Sequence, residues 1–434
     1  MASNTTGSFN VGIGQQALWG NTTASNNTAV GYQSAYSNTT GANQTALGYT
    51  ALYSNTTGTE NTAVGSFALY TNSTGSYNVA LGRQALNANT TADNNTAVGH
   101  QAGYSNTTGS NLTAVGRVAL YANTTGASNS AVGYGALNGA LQSNTSGNYN
   151  TAFGGGALGN NTTASDNTAV GYQAAYSNTT GTENSAFGLW ALKTNTTGGN
   201  NTAVGNYALQ SNTTANNNTA VGDQALYSNT TDNNSAFGYR SLISNTTGTS
   251  NSAFGHLSLA SNSIGSGSCA FGHLALASNI SGNNNSAFGY RALSNNTNAS
   301  NNNAFGAGAL SNNFTGTRNN AFGNYALRMN TYGYNNNAFG HYAMYGFGYT
   351  IMRNSYDCTV DDKNLKYRTL FWDIIYFFNG EKPNGLDKYG FNEEQFKYVK
   401  TIHDELKDKK NINQNEVLME FGCGTAVPTI RNML

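Results

Sequence analysis

The chain has 434 residues, of which 38% are hydrophobic and 9% charged, and its 19 basic and 19 acidic residues leave no formal net charge. That balance argues against a basic nucleic-acid footprint and a polybasic membrane patch, and it leaves little for long-range electrostatic recognition. The charge is unevenly placed: 13 Asp, Glu, Lys and Arg residues precede Arg353 and 25 follow from it to Leu434, together with both prolines, Pro383 and Pro428.

From the N-terminus, the first body of the sequence is one phrase written repeatedly. A Gly preceded by Val, Leu, Ile or Phe recurs twenty times, from Gly14, Gly31 and Gly48 to Gly340. The spacing is 17 residues except for 21 between Gly133 and Gly154 and 16 between Gly222 and Gly238. A fixed period of this size marks a stacked repeat architecture. A composition rich in Asn, Gly, Ser and Thr usually argues for disorder, because too little apolar surface offsets chain entropy. Here the few apolar residues are strictly placed. Two positions before the anchor glycine stands Ala in every repeat but the first, as in Ala29, Ala97 and Ala203. Four positions after it, sixteen of twenty residues are Leu, among them Leu52, Leu120 and Leu226. The two positions just after the anchor wander among Tyr, Gln, His, Arg and others, so the constant columns read as buried and the wandering ones as wet.

Seventeen residues with Gly at the anchor and polar turn stretches leave no room for two helices. A coil of two short strands and two turns fits: Thr168 to Gly171 as one strand, Gln173 to Ser177 as the other, and Asn178 to Asn184 as turn chemistry. Strand pairing then stacks the coils 4.7–4.9 Å apart, which gives a rod about 95 Å long for twenty coils. The expected fold class is therefore all-β. It is a parallel β-solenoid or β-roll of about twenty coils over residues 1–345, followed by a linker over 346–365 and a small α/β segment over 366–434.

Alternate side chains of a strand point to opposite faces, yet the Ala column and the adjacent Val or Phe column are both nearly constant. Two restricted faces predict a homo-oligomer, a trimer or a helical fibre, with one face inside the coil and the other against a second copy. The alternative is a monomer in which Ala suits a narrow corner. The column before the anchor is all Phe from Phe237 to Phe339, which predicts a stacked aromatic ladder and a thicker core in the later coils.

Seven residues after the anchor, Asn stands in eighteen of twenty repeats. Fifteen of these form N-x-[ST]: Asn21, Asn38, Asn55, Asn72, Asn89, Asn106, Asn123, Asn161, Asn178, Asn195, Asn212, Asn229, Asn245, Asn279 and Asn313. Asn144, in the insertion, adds another, and Asn94, Asn111, Asn200 and Asn217 lie in the opposite turn. A register of sequons predicts a row of N-linked sugars along one edge; the competing reading is a ladder of side-chain amides bonded from coil to coil. Cys269, read as replacing a polar turn residue, Cys358 and Cys423 support neither a disulfide framework nor a zinc site. His100, His256, His273 and His341 sit at the variable position after the anchor and read as solvated surface rather than as a metal ladder.

A joint of Gly346, Phe347, Gly348 and Tyr349 leads to the tail. There LFWDIIYFF (Leu370 to Phe378) is too short to span a bilayer. Phe396, Val399, Ile402 and Leu406 have helical spacing behind an Asn392–Gln395 capping box. Val417 to Phe421 followed by Gly422, Cys423, Gly424, Thr425 and Ala426 resembles the first motif of S-adenosylmethionine-dependent methyltransferases, a strand ending in a Gly-rich turn. No second strand, ribose-binding acid or substrate pocket accompanies it, so the expectation is a cap over the last coil or a grafted sequence end, with no enzyme activity and no cofactor.

The N-[ST]-A-[VF]-G core, as at Asn61 to Gly65 and Asn184 to Gly188, resembles the head repeats of trimeric autotransporter adhesins and related repeats of phage and giant-virus fibres. The resemblance covers about four fifths of the chain and implies a trimeric parallel β-roll, placement outside the cell or on a virion surface, and fibre building or attachment. MASNTTGSFN does not read as a secretory signal, and no membrane anchor or chaperone tail is read. The leading expectation is a structural fibre subunit that partners itself. The second is an adhesin or receptor-binding fibre whose Tyr32, Tyr172, Trp190, Tyr207, Tyr239 and Tyr290 meet a cell-surface glycan or protein. A third is an ice-binding solenoid built on the threonines of the NTT stretches.

Overall fold

The computed structural model describes residues 3–136 and 146–345. It is a parallel β-solenoid of twenty three-residue strands about 17 residues apart, from β1 (Val11–Ile13) to β20 (Asn337–Phe339), with no helix among the described residues. The chain divides after Ser252 into two compact units. The first carries β1 to β14 (Ser235–Phe237) and the second β16 (Cys269–Phe271) to β20; β15 (Ser252–Phe254) lies at the division. The expected linker over 346–365 and α/β segment over 366–434 lie outside the described residues.

Within the first unit each strand pairs in parallel with the next and in register. Ala186 of β11 (Ser185–Phe187) faces Ala203 of β12 (Thr202–Val204), so the Ala column is literally a column. The two irregular spacings do not break it. β8 (Ser130–Val132) meets β9 (Thr151–Phe153) with Ala131 opposite Ala152, and β13 (Thr219–Val221) meets β14 with Ala220 opposite Ala236. In the second unit the same register runs from β16 to β20. The strand register survives both irregular spacings, so the changes in length fall in the arcs between strands.

Among the described residues only one strand forms per coil. The expected second strand, Gln173 to Ser177, is a turn, because Gln173 and Ala175 adopt φ of 52° and 48°. Left-handed residues at alternate positions forbid an extended strand. The backbone is nonetheless satisfied between coils: Gln173 N–H donates to Gly155 C=O one coil back, and Ala175 and Ser177 donate forward to Ala191 and Lys193, each at 2.9 Å. The anchor glycine is required on two counts. Gly188 has φ 136°, and a β-carbon there would lie 2.6 Å from the carbonyl oxygen of Gly205, inside any real contact distance.

The core is thin. In the coil around Gly188, Ala186, Ala191 and Leu192 are fully buried, and equivalent Ala and Leu residues are buried along both units. The remaining inward positions are polar. Asn184 and Asn195 are buried, and so are their counterparts in coil after coil. The Val or Phe column, expected to thicken the core, instead lies on the outer face of the strand. Phe153 is 55% exposed and Phe187 and Phe339 are each 40% exposed. Ala on the inner face and Val or Phe on the outer follow from the two-residue alternation of a strand, once the middle residue is the one turned inward. Cys269 is likewise corrected: it is the first residue of β16 and half-buried, not a turn residue.

Candidate functional site

The Asn column seven residues after the anchor was the principal candidate, and the structure places it inside the coil. Asn21, Asn38, Asn55, Asn72, Asn89, Asn106, Asn123, Asn161, Asn178, Asn195, Asn212, Asn229, Asn245, Asn279 and Asn313 are all buried; Asn144 lies outside the described residues. Asn195 shows the pattern. Its Nδ2 donates to Asn178 Oδ1 and to Gly198 C=O, each at 2.8 Å, and its Oδ1 accepts from Asn212 Nδ2 at 2.8 Å. Both amide hydrogens are used. An N-glycosidic bond would replace one of them and put a sugar where the next coil stacks, so these positions suit the amide ladder and not the row of glycans.

A second buried Asn column, four residues before the anchor, was not singled out in the sequence although it opens the repeated motif. Asn184 N–H donates to Asn167 Oδ1 at 3.0 Å, and its own Oδ1 accepts from Asn201 N–H at 3.0 Å. Its Nδ2 reaches Gly198 C=O at 2.8 Å, the carbonyl that Asn195 also uses. The two columns thus converge on one backbone oxygen and tie the same turn of neighbouring coils together. Each such bond contributes about 0.5–1.5 kcal/mol net, and burial makes an unmade one costlier.

Among the described residues of the first unit, the ladder breaks at the shortened coil. The coil shortened to 16 residues turns Asn229 Nδ2 to Thr231 C=O at 2.7 Å, and Asn212 Oδ1 is left buried without a partner. Sequons do reach the surface, in the same turn and not in the opposite one as expected: Asn94, Asn111, Asn200 and Asn217 are exposed, with φ between 57° and 60°. Thr39 Oγ1 donates to Thr56 C=O at 2.9 Å and Thr56 Oγ1 to Ser73 C=O at 3.0 Å. The first threonine of most NTT stretches spends its hydroxyl proton in this way on the next coil.

The outward columns are stacks of like side chains. Tyr36, Tyr53 and Tyr70 stack with ring centroids 5.1 and 5.2 Å apart. Burial in that stack, together with the neighbouring Tyr36 and Tyr70 hydroxyls, raises the Tyr53 phenol above its ordinary range. In the second unit Phe254, Phe271, Phe288, Phe305, Phe322 and Phe339 form the expected aromatic ladder, with centroids 4.5–5.0 Å apart and planes within 7°. His256 and His273 stack at 4.9 Å, and no cluster of His, Cys, Asp and Glu among the described residues could hold a metal ion. Of the aromatic residues expected to meet a receptor, Tyr32, Tyr172, Tyr239 and Tyr290 are exposed, while Trp190 and Tyr207 are half-buried against one another in an edge-to-face pair at 5.3 Å.

The comparisons with known proteins return nothing: no family model, no curated protein and no solved structure matches the chain.

Proposed function

We propose that the chain is a structural subunit of an extracellular or virion-surface fibre, and that it partners itself through the outer face of its strands. The likeness of the N-[ST]-A-[VF]-G motif to fibre and adhesin head repeats agrees with this reading. The observation that carries it is the outward column. Every coil has an apolar residue one position before the anchor, on a face whose other strand residue is Ser, Thr or Asn except at Val11, Val79 and Cys269, and in the second unit that residue is a stacked Phe from Phe254 to Phe339. Phe254 to Phe322 are half-buried in the stack already, so covering what remains against a second copy would contribute only a part of the about 1.5–3 kcal/mol of a full Phe burial at each coil. A continuous apolar stripe on a polar surface is the mark of an interface. In this role no residue does chemistry, and the polar turns supply a hydrated coat.

Sedimentation and negative-stain imaging of the full chain test the reading. The purified protein is expected to form a discrete oligomer or filament, and Phe288→Lys with Phe305→Lys is expected to shift it toward monomer while its circular dichroism stays unchanged. A wild-type chain that sediments as a monomer at tens of micromolar contradicts self-association through this stripe.

A further inference from the structure

In the second unit two outward columns thin out at the same place. Five residues after the anchor glycine the first unit carries its stacked tyrosines, but the second has Ala277, Ser294 and Ser311 before the column returns to Arg328 and Tyr345. The two positions after the anchor shrink as well, to Ala307 and Gly308, between Tyr290–Arg291 on one coil and Asn324–Tyr325 on the next but one. What remains is a cleft of about 370 Å³. Tyr290, 52% exposed, rests on His273 at 5.5 Å with planes 6° apart, and no ring follows it on the next coil, where Ala307 stands. Tyr325 stacks on Tyr342 at 5.1 Å and leans across Gly308, where a β-carbon would lie 2.6 Å from its ring.

The polar lining is cationic and amidic. Arg291 and Arg328 both face the cleft. Arg328 is held by a hydrogen bond from Nη1 to the Tyr345 hydroxyl at 2.9 Å and by the Tyr325 ring 5.0 Å from its guanidinium carbon; Arg291 lies 5.5 Å from the Tyr290 centroid. Residues 253–345 contain three arginines and no Asp, Glu or Lys, so neither guanidinium has a carboxylate partner within the described part of this unit. Asn295 Nδ2 donates to Asn312 Oδ1 at 3.0 Å, and Ser294 and Ser311 also line the cleft, the Ser294 hydroxyl donating to Ser311 C=O at 3.3 Å.

We propose that this cleft binds an acidic saccharide, a pyranose carrying a carboxylate or a sulfate. Guanidinium forks match both acids in bidentate geometry. The tyrosine rings offer flat surfaces for the C–H face of a sugar ring, and the Asn amides and Ser hydroxyls exchange hydrogen bonds with its hydroxyls. The volume falls at the lower end of the roughly 300–1,000 Å³ of small-ligand sites. A bare inorganic anion uses only the arginines and leaves the aromatic walls and the amides idle; a neutral sugar leaves both charges uncompensated. This site goes beyond the fibre reading and stands whether or not the chain self-associates.

The test is titration of the full chain, by saturation-transfer NMR and calorimetry, with oligogalacturonate, sialyllactose, a sulfated heparin disaccharide, lactose and inorganic sulfate. At least one acidic saccharide is expected to bind at least tenfold more tightly than lactose or inorganic sulfate, and the arm that binds identifies the acid. Arg291→Gln with Arg328→Gln is expected to weaken that binding at least tenfold; Gln is already native at the same coil positions, as Gln173 and Gln210. Ala307→Tyr places on this coil the ring that Tyr172 supplies on another and fills the cleft beside Tyr290, so it is expected to abolish binding with an unchanged melting temperature. Absence of binding by every acidic saccharide, equal binding of lactose or inorganic sulfate, or undiminished binding in the filled-cleft variant overturns the proposal.

Discussion

At the residue scale, the same amino acid has opposite roles within one turn. Asn195 is a buried rung with its amide hydrogens spent inside, whereas Asn200, five residues on, is exposed in a left-handed turn. Nothing in an N-T-T or N-N-T triplet distinguishes the two, because Asn is favoured both in turns and in stacked amide ladders. Leucine carries a similar surprise. Leu226 is fully buried with φ 51°, a conformation that costs an ordinary residue about 1–2 kcal/mol and that the stacked coils impose from outside. Its place in the core was nonetheless legible, since its column is Leu in sixteen of twenty repeats. Leu226→Asp is expected to unfold its own coil and fray the adjacent ones, because it buries an unpaired charge among alanines. Tyr239→Asp, on the 43% exposed outer column, is expected to change the melting temperature little. Thermal unfolding of the two variants checks the assignment, and equal tolerance at both sites would refute it.

At the element scale, the strand was legible and the arc was not. Thr-Ala-Val before a glycine reads directly as a short strand, and Thr168–Val170 is one. Gln173 to Ser177 has the same look of alternation, but its left-handed backbone is set by the turn and by bonds to neighbouring coils, which local sequence does not encode. The 16-residue coil shows how the arc governs the ladder. It lacks the small residue that elsewhere presents its carbonyl to the Asn three positions earlier, as Gly198 does for Asn195, and Asn212 Oδ1 loses its partner. Inserting one Gly between Thr231 and Asp232 is expected to restore the rung and raise stability by about 1–3 kcal/mol, the typical penalty of an unsatisfied buried polar atom. Chemical denaturation of the inserted and parent chains measures it. A neutral or destabilising insertion would mean that the shortened coil has compensated elsewhere.

At the scale of the whole molecule, period and composition announced a stacked solenoid, and the near-constancy of two adjacent columns announced that both faces of each strand are constrained. The sequence could not say which face was inner. The structure turns Ala, Leu and the two Asn columns inward and leaves Val and Phe on the outside, so the interior is held by alanines, leucines and amide ladders and the apolar ladder faces outward. The most direct measurement of that inside-out assignment is a site-by-site map of N-glycans on the folded chain secreted from a glycosylating host. Sugar is expected at the exposed Asn94, Asn111, Asn200 and Asn217 and absent from Asn38, Asn55, Asn178 and Asn195. Sugar on those four buried asparagines in folded protein would contradict the account.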